Sequence, residues 1–224
     1  MARIRDGPSG MPAGTFGNWA MAEQNIFRLI PAIEKTHKSW VKVVLDRFDD
    51  FLGDHASCEK KASGMAMSMA SHYPDRRVLL NAMVDLAVEE LNHYREVVRL
   101  IIARNNQPRP DSKDYYVIEL NGLVRKGKEH FLLDRLLIAA LIERRGAERF
   151  QLISDNAEDE IIRRFYSSIT NSESRHWRLF ITLAMEYFEA GEVEEQLYAL
   201  APAQNRISES LPIKPAMNLS LIHI

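Results

Sequence analysis

This sequence predicts an all-α fold: a four-helix bundle with additional peripheral helices. Three observations carry that expectation. Apolar residues recur at helical spacing through most of the middle of the chain. No β-hairpin signature interrupts them. Two distant segments each place a glutamate and a histidine, one helical turn apart, on the apolar face.

The elements follow in order. Residues 1–18 hold Gly7, Pro8, Gly10, Pro12, Gly14 and Gly17 and read as a flexible leader. From Pro31 to Leu52, Ile33, Trp40, Val41, Val44, Leu45 and Phe48 keep helical spacing, and Gly53 is expected to break the helix. Asp54 then caps a second helix over about 55–72. Pro74 and Asp75 open a long third helix that ends near Asn105, before Pro108 and Pro110. Asp111 to Lys128 holds at most a short helix. Core helices over about 130–153 and 156–189 follow, then a stop at Gly191 and a short further helix. Residues 202–224, with Pro202, Pro212 and Pro215, read as a tail of low order.

Bulk properties exclude several classes. The 224 residues suit one domain with a sizeable core. A net charge of -2 gives no global basic field for coating nucleic acid or membrane, though it leaves room for a local patch. Cys58 is the single cysteine, so no internal disulfide forms and a reducing cytoplasm is the expected compartment. Arg3 and Arg5 are not followed by the apolar run of a signal peptide, and no stretch is apolar enough to span a bilayer.

The chemistry sits on two stripes. Met83, Leu86, Ala87, Glu90, His93, Tyr94, Val97 and Ile101 share one helix face; Glu89, Arg95, Glu96 and Arg99 fall elsewhere and can stay wet. Glu173 and His176 lie with Ile162, Phe165, Ile169, Phe180 and Leu183. Each motif follows another inward acid: Glu59 precedes Glu90 by 31 residues, and Glu143 precedes Glu173 by 30. An unpaired buried carboxylate costs several kcal/mol, so these acids need compensation, and metal is one form of it. Two helix hairpins, each offering a Glu and then a Glu-x-x-His, make the ligand pattern of ferritin-like di-iron and di-manganese proteins. Four carboxylates neutralise two divalent ions, and oxygen with imidazole but no thiolate suits iron or manganese. One ferritin-like domain over 19–201 is the resulting expectation.

Several of these residues also have blander readings. A single Glu-x-x-His is weak, since roughly half of one arises by chance in such a chain. A third, Glu34 with His37, lacks an acid one hairpin earlier and reads as a surface pair. Glu148 competes with Glu143, but shares a mixed face with Leu141, Arg144 and Arg145 and reads as an arginine's salt-bridge partner. Cys58 reads as a small buried filler near the site. His55 reads as a helix-start residue, with support of the ligands or a place in the substrate pocket as the alternative. Met65, Met67 and Met69 read as core packing.

Four blocks, in order, are closely similar to motifs of the tRNA 2-methylthio-isopentenyl-adenosine hydroxylases, the MiaE family. They are Leu52–Ala62, Glu89–His93, Ile142–Phe150 and Ser172–His176, within a resemblance that covers about 30–200. It implies a non-haem di-iron monooxygenase that uses O2 and reducing equivalents. Its substrate would be tRNA carrying the isopentenyl-modified adenosine beside the anticodon. Carried over by position, the ligands of two iron ions would be Glu59, Glu90, His93, Glu143, Glu173 and His176. An electron-donor protein of the ferredoxin or reductase type would be a partner, and no membrane would be. Arg104, Arg109, Lys113, Arg125, Lys126 and Lys128 form a locally basic stretch that is the candidate tRNA contact. The rival reading is a ferritin-like ferroxidase without an organic substrate.

Overall fold

The computed structural model describes residues 31–218, apart from the side chains of Lys128 and Glu129. Among these residues all regular structure is helical: α1 Lys38–Asp46, α2 Phe48–His72, α3 Arg77–Ala103, α4 Tyr115–Asn121, α5 Lys128–Asn156, α6 Glu160–Tyr187 and α7 Ala190–Ser210. The leader, 1–18, lies outside the described residues.

Two hairpins make the bundle. The α2–α3 pair and the α5–α6 pair are each packed along their length, and the pairs meet where α3 touches α6. Leu79, Met83, Val97, Leu133, Leu136, Leu137 and Phe180 are fully buried between them. Each such side chain contributes roughly 1.5–3 kcal/mol of apolar transfer. Asp114 and Asp159 cap α4 and α6 through their side chains, as turn acids do. Gly127, at φ 130°, supplies the left-handed turn into α5 that other residues resist.

Three expectations about the chain's path need correction. The first break falls at Arg47 (φ -129°, ψ 47°), not at Gly53, and residues 31–37 are not helical. Gly53 is buried inside α2, with the Arg109 side chain packed beside it. Helix propensity is a weak prior that tertiary context overrides. The helix after Gly191 is not short, since α7 runs for 21 residues. The expected low-order tail is ordered over 202–218. Pro202 lies inside α7, whose Leu197, Leu200, Ala201 and Gln204 are buried. Burial against α4 and α5 offsets the hydrogen bond that proline removes. Residues 219–224 lie outside the described set.

Candidate metal centre

Each hairpin delivers its acids to the same level of the bundle. Glu59 projects from α2, Glu143 from α5, and the one-turn pairs Glu90/His93 and Glu173/His176 from α3 and α6. Their ligand atoms form two groups, each within 4.8 Å: Glu59, Glu90, His93 and Glu173, and Glu90, Glu143, Glu173 and His176. All six sequence-predicted residues come together, and Glu90 with Glu173 belongs to both groups. His93 Nδ1 lies 3.3 Å from Glu90 Oε2, 3.6 Å from Glu59 Oε2 and 3.8 Å from Glu173 Oε1. His176 Nδ1 lies 2.8 Å from Glu90 Oε1 and 3.7 Å from Glu173 Oε1.

The cluster by itself is electrostatically unsatisfied. Glu90 Oε1, Glu173 Oε1 and both His176 nitrogens are buried without a well-directed hydrogen bond, even where oxygen and nitrogen are close. Burial, and then the charges of Glu59 and Glu143, raise Glu90 to about 7 despite contacts from both histidines. Burial and the Glu143 carboxylate push Glu173 up as well. Burial alone would lower the histidines. Hydrogen bonds to Glu59 and Glu90 outweigh it and raise His93 to about 10, and Glu90 raises His176 to about 9. Divalent cations would relieve the repulsion among these carboxylates. Orphaned buried oxygens and nitrogen, with carboxylate and imidazole donors only, fit a di-iron centre.

The sequence leaves a supporting role for His55 as an alternative and gives none to Glu89. His55 is buried in mid-helix, not at a helix start; its Nε2 lies 2.5 Å from Glu59 Oε1 and its Nδ1 3.1 Å from Tyr166 Oη. Spacing of four residues from Glu59 was the available signal. Glu89, expected to stay wet, is half-exposed, but its Oε2 stands 3.3 Å from His176 Nε2. Ser172 Oγ and Arg175 donate to its other oxygen. Burial is outweighed by the Ser172 hydrogen bond and by His176, which hold the Glu89 carboxyl down at about 2.

The competing residues are elsewhere. Glu148 accepts from Thr36 N–H at 2.8 Å and Thr36 Oγ1 at 2.5 Å, with Arg145 at 3.4 Å. His37 caps α1 at the surface. Cys58 lines a cavity, and burial pushes its thiol up, which suits a filler rather than a nucleophile. Met69 is core, Met65 lines the cavity and Met67 is exposed.

That cavity, about 380 Å³, lies between α2 and α5 and reaches Glu59, Glu90, Glu143 and Glu173. Its walls include Ala62, Met65, Val117, Ile138, Ala139, Ile142, Phe150 and Met217; Lys61, Ser68, Asn121 and Arg135 supply polar lining. Gly146 leaves room beside the cluster, since a Cβ there would sit 3.7 Å from Glu173 Oε2 and 3.8 Å from Met217 Cε. Met217 is held by its N–H donating to Asp54 Oδ2 at 2.7 Å and by its carbonyl accepting from buried Arg149. Asn218 Nδ2 donates to Asp114 Oδ2 at 2.8 Å. The C-terminal segment is thus a wall of the cavity.

The basic stretch is less free than its composition suggests. Arg104 Nε lies 2.5 Å from Asp49, Arg109 pairs with Asp50, and Arg125 Nη2 lies 2.7 Å from buried Asp134. Lys113 and Lys126 are exposed, and the Lys128 side chain is outside the described ones. The loop before α4 is stitched to α2, with Lys60 2.9 Å from Asp111 and Lys61 donating to the Ser112 carbonyl at 2.6 Å. Lys61 and Arg135, which line the cavity, were not singled out from sequence. No helix among the described residues is long and apolar enough to cross a membrane.

Known proteins are similar to this chain. The family described as "tRNA-(MS[2]IO[6]A)-hydroxylase (MiaE)" matches residues 28–217. A Pseudomonas putida protein described as tRNA 2-(methylsulfanyl)-N(6)-isopentenyladenosine(37) hydroxylase is 33% identical over 187 residues, 81% of this chain and 91% of that protein. A Salmonella typhimurium protein of the same description is 31% identical over 170 residues, 71% of this chain and 62% of that protein. A solved structure described as "Protein 43 with aldehyde deformylating oxygenase activity from Synechococcus" superposes with a TM-score of 0.80 at 32% identity, covering 87% of this chain and 99% of that one.

Proposed function

Because this chain belongs to the MiaE family of tRNA hydroxylases, we propose that it hydroxylates the isopentenyl side chain of the 2-methylthio-isopentenyl adenosine beside the tRNA anticodon. O2 is the oxidant, and a ferredoxin- or reductase-type protein in the cytoplasm supplies the electrons. The observation that carries this reading is the apolar cavity ending on the two four-donor groups. Two irons would be held by Glu59, Glu90, His93, Glu143, Glu173 and His176, with Glu90 and Glu173 serving both. Bound iron supplies the activation of O2, which side chains alone do not provide.

The chain's own residues supply the rest. The apolar walls accept the prenyl chain and keep water from the cluster. Met217, Met65 and Ile142 bound the space laterally. The base has to leave the anticodon-loop stack to enter the cavity. Lys61 and Arg135 at the cavity, with the exposed Lys113 and Lys126, offer phosphate contacts on a nearly neutral protein. The test supplies the reduced, iron-loaded protein with isotope-labelled O2 and tRNA bearing the isopentenyl modification, then analyses nucleosides by mass spectrometry. The modified adenosine gains one labelled oxygen, and unmodified tRNA gives no product. Oxygen drawn from water, or none gained, rejects the reading.

A second reading has one observation in its favour: the Synechococcus structure, described by an aldehyde deformylating oxygenase activity, is as similar as the named hydroxylases. The same apolar cavity would admit an aldehyde chain. Incubation with a long-chain aldehyde under the same conditions separates the two, since deformylation without tRNA oxidation supports only the second.

A further inference from the structure

The two acids that precede the Glu-x-x-His motifs look equivalent in sequence but not in structure. Glu59 accepts a hydrogen bond from outside the cluster. His55, fully buried one turn earlier on α2, sits with Nε2 2.5 Å from Glu59 Oε1. Its Nδ1 is 3.1 Å from Tyr166 Oη. The tautomer follows from the partners. An ionised carboxylate only accepts, so Nε2 carries the hydrogen, and Nδ1 accepts from the tyrosine O–H. Phe51, Phe150 and Phe165 surround the imidazole at ring-centroid distances of 5.9, 4.6 and 6.4 Å. Such packing leaves the imidazole little freedom to turn.

Among the described residues, Glu143 shows no counterpart to this. The residue four before it is Ala139, which cannot donate. The Glu143 carboxylate interacts within the cluster, with Glu173, and otherwise faces the cavity. Gly146, one turn later, leaves that side open.

On the reading that the six residues are ligands, we propose that His55, fixed by Tyr166, is a positioning residue that confines Glu59 to ligation through Oε2, while Glu143 keeps both oxygens available. The metal position of Glu59 and His93 is thereby the tighter and more rigid one. The position of Glu143 and His176, where the acid has no such support, is the one whose coordination adjusts when substrate enters. Oε2 already points inward, 3.6 Å from His93 Nδ1. Histidine suits this task because one ring can donate to a carboxylate while a second hydrogen bond sets its tautomer.

The probe is cobalt(II), titrated without O2 into the metal-free full chain and followed by calorimetry and visible ligand-field absorption. Wild type binds two cobalt ions with unequal affinity and distinct bands. His55→Leu weakens the tighter ion about 10–100-fold, the usual effect of losing such a support, and leaves the weaker one nearly unchanged. Tyr166→Phe, which keeps ring and volume, weakens the same ion by less and shifts only its bands. His55→Gln, which retains an N–H donor, restores most of the affinity. Two equal ions in wild type overturn the proposal, as do wild-type affinities in His55→Leu or equal weakening of both ions. Should His55→Leu not fold, Tyr166→Phe decides alone, and unchanged bands and affinities in it overturn the proposal. Wild type that binds fewer than two ions instead rejects the ligand reading on which this rests.

Discussion

His176 Nδ1 lies 2.8 Å from Glu90 Oε1, although one residue belongs to the second hairpin and the other to the first. The cluster therefore joins the two halves of the bundle. Filling it with cations should tie them together. We expect about two irons per chain after anaerobic reconstitution and a melting temperature that rises with iron. Metal analysis of the desalted protein and a thermal melt check both.

The pH dependence of the metal-free protein follows from the same contacts. His93 is raised from 6.5 to about 10 and His176 to about 9, so their contribution is complete below about 6.5 and is lost as pH rises through the folded values. Glu90, raised to about 7, works in the same direction, because its neutral form is favoured in the fold. The melting temperature of the metal-free protein should fall between pH 6.5 and 10. Metal affinity should rise over that window, with protons released on binding. Melts at several pH values and proton release into weak buffer test the sign.

Glu143→Ala should abolish loading of the second metal. Glu148→Gln should keep both metals and cost about 1–3 kcal/mol, since Glu148 carries charge-assisted hydrogen bonds to Thr36 and Arg145. Metal content and chemical denaturation of the two variants separate the roles. The reverse pattern would reassign the ligand.

Ala139 lines the cavity, 6% exposed, and belongs to no hydrogen-bonded network. Ala139→Phe should fill the space beside the cluster. Hydroxylation of modified tRNA should drop by roughly tenfold or more, about 1.4 kcal/mol in the barrier, at unchanged iron content. Parallel iron and nucleoside analyses check this.

Arg149 is 1% exposed, and burial lowers its guanidinium to about 10. It binds the Met217 carbonyl, Asn218 Oδ1 and Ser208 Oγ. Arg149→Met should release the segment after Ser210 and open the cavity wall, with a loss of roughly 1–3 kcal/mol from the orphaned acceptors. Limited proteolysis should then cut between 211 and 218 while the core helices persist.

Sequence alone determined the class of fold and the six cluster residues. Both are written in periodicity: buried acids and imidazoles recur on apolar stripes, one hairpin apart, and local spacing encodes which face they share. Tertiary structure decided what depends on residues far apart in the chain. Gly53 is buried inside a continuous helix, beside the distant Arg109 stem. Residues 211–218 are ordered because Asp54, Arg149 and Asp114 receive them. Arg104, Arg109 and Arg125 are partly neutralised by acids that the basic stretch does not contain. Glu59 and Glu143 look alike in sequence, and they differ because Tyr166, 111 residues from His55, reaches the imidazole that supports Glu59, whereas the corresponding position before Glu143 is Ala139, which has no side-chain donor. Such pairings arise only when the helices pack, since side-chain contacts between elements carry no local periodicity.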